Sequence, residues 1–285
     1  MINRKNVKKH FKPDFVNTSV MIFFIIVFTS WFFIYKVDGA DLSKLFSEKN
    51  SFHAKKFLNG LFGIGEESAA FKDPESWKSA LSLTYETLQM SIMATGFASL
   101  GMFLTVLFAA KNHANGTLTL KREASGWILF WTARDIYVLT RAVPELIWAM
   151  MIIFVFKPGI LPGAIALALH NFGILGKLCA EVIEDIDHRP ISNLSSSGAN
   201  ALQMLFYGIL PTVTPKFITF MLYRWEVIIR TTIVVGLVGA GGLGQQFKLS
   251  MSWFHYTDVT LLLICYLILV FAADIISEGL RKIAQ

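Results

Sequence analysis

Glu145, His170, Lys177, Arg224, Glu226 and Arg230 lie in or beside strongly apolar runs of the sequence. A charge at the centre of a bilayer costs about 2.5–3.5 kcal/mol on insertion scales, so each must meet an opposite charge, a partner or a water-filled path. Glu226 and Arg230 stand at i and i+4 with the carboxylate on the amino-terminal side, the favourable order for an ion pair along a helix. Two readings stand side by side: an internal salt bridge that fixes packing, or a pair that lines a pore. Arg224 falls on a different face of the same helix, near the inner interface. There it either snorkels or adds positive potential to an anion path. Glu145, directly after Pro144, and Lys177 pose the same choice, while His170 reads first as a hydrogen-bonded core histidine.

The run Gly239-Ala240-Gly241-Gly242-Leu243-Gly244 has the spacing of a dinucleotide fingerprint but follows an apolar span with no βαβ unit, which excludes that reading. Gly239, Gly241 and Gly242 instead suit close helix packing, a bend or a moving external gate. There is no Ser/His/Asp set, no HExxH and no paired metal-ligand spacing, so neither an enzyme nor a metal or other cofactor site is expected. His255 and Asp258 read as a solvated loop pair. The two cysteines, Cys179 and Cys265, sit in apolar segments and form no disulfide framework.

The elements that carry these residues are membrane spans. Of 285 residues 54% are hydrophobic and only 16% charged, where a soluble domain carries about 25% charged residues. Lys and Arg exceed Asp and Glu by 26 to 20, which in such a chain points to orientation signals or anionic lipid and not to nucleic acid. A basic segment, 1–14, precedes an anchor helix over 15–36, too long for the apolar region of a signal peptide. Residues 37–80 form an external loop with short amphipathic helices. Further spans are expected at 81–110, 141–156, 164–182, 216–238 and 259–276, about six in all, with 111–140 as an interfacial or cytoplasmic helix and 239–258 as a loop. Six spans and basic ends place both termini in the cytoplasm.

The polar island from Pro190 to Pro215 is unusual for a turn between spans, because Ala199, Leu202, Leu205, Phe206 and Ile209 repeat at helical spacing inside it. A long loop with its own helix suits docking to another molecule. With no P-loop in the sequence, energy must come from a partner or an ion gradient. A secondary transporter is the rival of a different class, although no inverted repeat is visible.

This island resembles the EAA loop of ABC-importer permeases: Glu-Ala-Ala, three residues, Gly, nine residues, an aliphatic, any residue, Leu-Pro. Gly198 and Leu210-Pro211 hold their places, followed or preceded by Ala199 and the helical pattern. Ser192-Asn193-Leu194 replace Glu-Ala-Ala, and Gly208 replaces the aliphatic. RAVPELIWAM (141–150), ALALHNFGILGKLCAEVIEDID (166–187), SGANALQMLFYGILP (197–211) and LYRWEVIIRTTIVVGLVGAGGLGQ (222–245) resemble the permease subunit of phosphonate/phosphite ABC importers. The resemblance implies an all-α, polytopic, type I (MetI-like) core over 81–285 with a cytoplasmic coupling loop over 185–215. It also implies a homodimer in the bacterial inner membrane, two copies of a cytoplasmic ATPase subunit, an extracytoplasmic substrate-binding protein, and a phosphorus oxyanion as cargo. A permease of the same fold for methionine or another oxyanion is the nearest alternative. On this reading Arg224 or Arg230 offsets the desolvation of the anion.

Overall fold

The computed structural model describes residues 15–36, 46–65, 68–116 and 124–284, helical with no strand among them. The expected basic segment 1–14, positions 37–45 of the expected external loop, and Lys121 and Arg122 lie outside the described residues. The chain divides into two compact units, 1–58 and 59–285.

In the first unit, α1 (Phe15–Lys36) has no buried residue. Its length of about 33 Å at 1.5 Å per residue crosses a hydrocarbon core of about 30 Å. Two of its hydroxyls are satisfied within the helix: those of Ser19 and Thr29 donate to the carbonyls of Phe15 and Ile25 at 2.9 and 2.7 Å. α2 (Glu48–Leu61) is polar and crosses the unit boundary in sequence.

The second unit holds α3 (Pro74–Thr105), α4 (Lys111–Ala114), α5 (Ala124–Ala142), α6 (Glu145–Phe156), α7 (Ile160–Glu184), α8 (His188–Ser196), α9 (Ala201–Ala240), α10 (Gly242–Ser252) and α11 (Tyr256–Ala284). α7 is central and packs on α3, α5, α6 and α9. Small residues make this possible: Gly173 lies against the backbone of Tyr137 and Arg141, and the Tyr137 ring occupies the space a side chain at Gly176 would need. The Tyr137 hydroxyl, deep in the core, shares a 2.7 Å hydrogen bond with Thr105.

Five helices are long and apolar enough to cross a membrane, or six if the bent pair α5–α6 counts as one, in line with the expected number. The boundaries differ from the sequence reading for identifiable reasons. α3 starts at Pro74 because Asp73 is its cap, its carboxylate accepting the Ser76 N–H at 3.0 Å, and Pro74 suits the first turn. The expected span 141–156 is the short α6, which meets the preceding α5 at 90°. Pro144 has no N–H to continue the ladder and restricts Val143, so α5 stops and α6 restarts. α5 packs one face, with Ala133, Tyr137 and Thr140 buried, against its neighbours, and leaves Ile128, Trp131 and Leu139 exposed on the other. The glycine-rich region expected as a loop contains α10.

The helical pattern in the polar island runs without interruption into the next span as α9. Pro211 follows a wider, π-helical turn over Met204–Ile209 and Pro215 lies inside the helix beyond it, while Thr212 and Thr214 hydroxyls donate to the carbonyls of Gly208 and Leu210 at 2.8 and 2.6 Å.

Candidate functional site

At one end of the second unit Glu184, the last residue of α7, gathers three elements. Its carboxylate accepts the backbone N–H of Lys111 and a guanidinium N–H of Arg134, both at 2.7 Å. Arg134 Nε also donates to the Ala109 carbonyl at 2.9 Å, and Asn112 Nδ2 donates to the Ile183 and Glu184 carbonyls at 3.0 and 3.1 Å. The turn after α3, the middle of α5 and the end of α7 are thereby tied together. Beside this anchor stands α8, capped by Asp187 on the Arg189 N–H.

Ile191 of α8 is buried, Ser192 and Asn193 are exposed, and Leu194 is half-buried against Gly208 of α9. A side-chain carbon added at Gly208 would lie 3.2 Å from Leu194 Cδ1 and 3.6 Å from Ile191 Cγ1. The large residue at 194 and the absent one at 208 therefore fill one volume between two helices. The reversed order, small at 194 and aliphatic at 208, would fill the same space. Gly198 turns the chain at φ +87°, a left-handed conformation. Asn200 and Gln203 then start α9 with a reciprocal capping box at 2.8 and 2.9 Å. Ala199 and Leu210 are half-buried, Pro211 is exposed, and Leu202, Phe206 and Tyr207 expose 65, 60 and 76% of their surface.

Near the middle of the bundle the α5–α6 break is held by polar groups from neighbouring elements. Trp148 Nε1 donates to the Thr140 carbonyl at 3.0 Å, and His170 Nδ1 lies 3.0 Å from the Val143 carbonyl. A carbonyl only accepts, so Nδ1 carries the proton, and His170 Nε2 faces Glu145 Oε2 at 3.4 Å. One residue on, Asn171 is buried. Its amide donates to the Leu167 carbonyl at 2.7 Å while its oxygen accepts from Arg224, with Nε at 2.9 Å and Nη2 as second donor. Lys177 pairs with Glu181 at 3.5 Å, both partly exposed, a contact of the weak i,i+4 kind.

Glu226 and Arg230 are 3.9 Å apart, but the nearer partner of Glu226 is Arg281 of α11 at 2.8 Å. That contact lies off the hydrogen-bonding direction, leaving it an ion pair. Arg230 also meets Asp274 of α11 at 3.5 Å. Two carboxylates and two guanidiniums thus join α9 to α11, a packing role that spacing along one helix had only half described.

At its far end α9 breaks at Gly239, Gly241 and Gly242, with φ of +105°, +92° and +65°. The new helix α10 is capped from α3: Glu86 Oε2 accepts the Gly242 N–H at 3.2 Å and Thr87 Oγ1 accepts the Leu243 N–H at 2.9 Å. α10 folds back so closely that Gly244 touches the Ile233 carbonyl.

The sequence reading missed Glu86, Asn171, Glu184 with Arg134, and Arg281 with Asp274 as structural partners. Glu86 was within reach, because it is a carboxylate inside an apolar span and the charge rule applied to the other spans covers it equally. Asn171, uncharged, gave no such signal. Among the described residues no group of three or more His, Cys, Asp and Glu side chains is placed to hold a metal ion, and both cysteines are free and buried.

Residues 119–284 match the sequence profile of the family described as "Binding-protein-dependent transport system inner membrane component". The phosphite transport system permease protein PtxC of Stutzerimonas stutzeri is 35% identical over 231 residues, 80% of this chain and 80% of that protein. The phosphate-import permease protein PhnE of Mycolicibacterium smegmatis is 29% identical over 201 residues, 70% of this chain and 36% of that protein. Among solved structures, a chain of the inward-facing MetNI methionine ABC transporter superposes with a TM-score of 0.65 at 17% identity, over 75% of this chain and 99% of that one, which establishes the fold. A helical bundle with several membrane-crossing helices, a broken span, a profile match over more than half its length and a relative covered over four fifths make this chain a member of the binding-protein-dependent transport system inner membrane component family, the permeases of ABC importers.

Proposed function

We propose that this chain forms the translocation path of an ATP-driven importer for phosphite, a phosphonate or a related phosphorus oxyanion in a bacterial inner membrane. The observation that carries the substrate class is the 35% identity to a phosphite permease over 80% of both chains. On this reading two copies pair in the membrane, two ATPase subunits engage the 185–215 loop from the cytoplasm, and an extracytoplasmic binding protein delivers the anion at the opposite end. Both termini are cytoplasmic.

The coupling surface is α8 with the exposed Leu202, Phe206 and Tyr207. Ser192 presents a neutral hydroxyl where the family pattern has a glutamate, so docking rests on apolar contact more than on an ion pair. Ser192, Gly198, Ala199, Leu210 and Pro211 shape this hairpin. Glu145, His170, Lys177 and Arg224, with the glycine break at Gly239, Gly241 and Gly242, are the candidates for pathway and gate, while Glu226 and Arg230 belong to the charge group that joins α9 to α11. The exposed apolar face at the start of α9 supports the docking role, since apolar side chains exposed together mark interaction sites.

The test is ATP hydrolysis by the reconstituted permease with its ATPase and binding protein, titrated with phosphite, methylphosphonate, phosphate and methionine. Stimulation by a phosphorus oxyanion upholds the reading. Stimulation by methionine alone keeps the fold and discards the substrate, and the absence of any co-purifying ATPase discards the coupling role.

A further inference from the structure

The charges inside the bundle differ in how they are neutralised. Arg134 has Glu184, Lys177 has Glu181, Arg281 has Glu226, and Arg230 has both Glu226 and Asp274. Arg224 has no carboxylate within 4.0 Å among the described residues; its partner is the neutral, buried Asn171. Glu145 is close enough to act on it through space, yet the contact Glu145 makes is with His170. A positive charge is therefore held half-buried near the middle of α9, opposite the middle of α7 and beside the α5–α6 break, with nothing of full opposite charge against it.

Its geometry is selective. A guanidinium offers five N–H groups. Asn171 takes the edge formed by Nε and Nη2, and its own amide is tied to the Leu167 carbonyl, so the oxygen cannot turn away. The end formed by Nη1 and Nη2 has no acceptor among the described residues. That end is the fork that matches two oxygens of a carboxylate or phosphorus oxyanion. A charged group beside a discontinuous helix is also what a substrate point in a transporter is built from.

We propose that Arg224, oriented by Asn171, is the point inside the membrane where the transported anion is met, through the free end of its guanidinium, and that Arg230 is not. The ligand class is a compact oxyanion presenting two acceptor oxygens on one side. The proposal rests on the reading of the chain as a permease for such anions. Arg224 supplies passage and not affinity, because capture belongs to the binding protein.

The test uses the assembled complex of permease, ATPase and binding protein in proteoliposomes, with phosphite as the probe. Arg224→Gln is expected to lower the maximal uptake rate at least tenfold with KM changed less than twofold, and Asn171→Ala to lower the rate about threefold or more. A maximal rate within twofold of wild type in Arg224→Gln overturns the proposal. If that variant does not assemble, Arg224→Lys keeps the charge and removes the fork. A wild-type rate there overturns the proposal, and a threefold or larger fall with unchanged KM supports it.

Arg224→Cys separates this proposal from the substrate reading. Modification by an ethylammonium thiosulfonate in some nucleotide state, with the untreated and treated wild type alike, supports placement on the path. No modification in any nucleotide state overturns the proposal even if phosphite is transported. If the wild-type complex moves no phosphorus oxyanion while Arg224→Cys is modified, the substrate assignment falls and the place of Arg224 on the path stands.

Discussion

Single side chains in this protein do their work where two helices compete for one volume or one proton. Leu194 and Gly208 are the clearest case. Gly208→Ile alone overpacks the α8–α9 contact and is expected to cost about 1–3 kcal/mol. Leu194→Ala leaves a void but starts from a half-buried side chain, so its cost falls below the ~2–5 kcal/mol of a fully buried leucine. The double variant should be markedly more stable than the sum of the two, and thermal unfolding of the three purified variants measures the coupling. Additive costs would mean that the two positions do not share their space.

His113 in α4 offers a pH test. Its Nδ1 is buried without a hydrogen-bond partner, its ring packs edge-on against Phe108, and burial holds its pKa below the ordinary 6.5. The sign follows: the folded form keeps the ring neutral while the unfolded chain takes up a proton below about 6.5. The group costs no stability above that pH and progressively lowers stability as pH falls through it. Comparing wild type with His113→Asn between pH 8 and 5.5 should show the wild type losing more on acidification. Parallel curves would remove the histidine from the account.

At the scale of elements, helices are positioned by what meets their ends and breaks. Pro144 ends α5, and the side chains of Trp148 and His170 accept responsibility for the carbonyls this frees. Gly241 and Gly242 end α9, and Glu86 and Thr87 of α3 cap the helix that follows. The α9–α11 contact is held by the Glu226 group of charges. Its members are unequal, since Glu226 is mostly buried between two guanidiniums and Asp274 is about 41% exposed. Glu226→Gln leaves Arg281 without its near partner and is expected to cost about 2–3 kcal/mol, under the ~3–5 kcal/mol of a fully buried pair. Asp274→Asn should cost ~0–1 kcal/mol. Melting temperatures in detergent check both, and a larger loss in Asp274→Asn would invert the assignment.

For the molecule as a whole, the proposed coupling role falls to the end where α8 and the start of α9 stand beside the Glu184 anchor. Leu202, Phe206 and Tyr207 do not pack into the core, so placing a charge there should spare the fold. Phe206→Asp is expected to reduce ATPase co-purification at least tenfold while the permease melts within a few degrees of wild type. Retained co-purification would move the docking site elsewhere.

Much of this architecture was legible in the sequence. Apolar runs of span length determined a polytopic helical protein, and the helical spacing after Gly198 marked a helix inside the polar island, because burial in lipid and helical periodicity act over neighbouring residues. Asp73-Pro74 falls inside the expected external loop and proved to be a helix start, which only its hydrogen bonds reveal. What only the tertiary structure decided was the pairing of charges from different helices. Arg230 is matched by Glu226 and Asp274, Glu226 by Arg281, and Arg224 by a neutral amide. Sequence spacing reports which groups share a helix face, but ion pairing in a bundle depends on distances between helices, and those distances are set by packing around small residues such as Gly173 and Gly176.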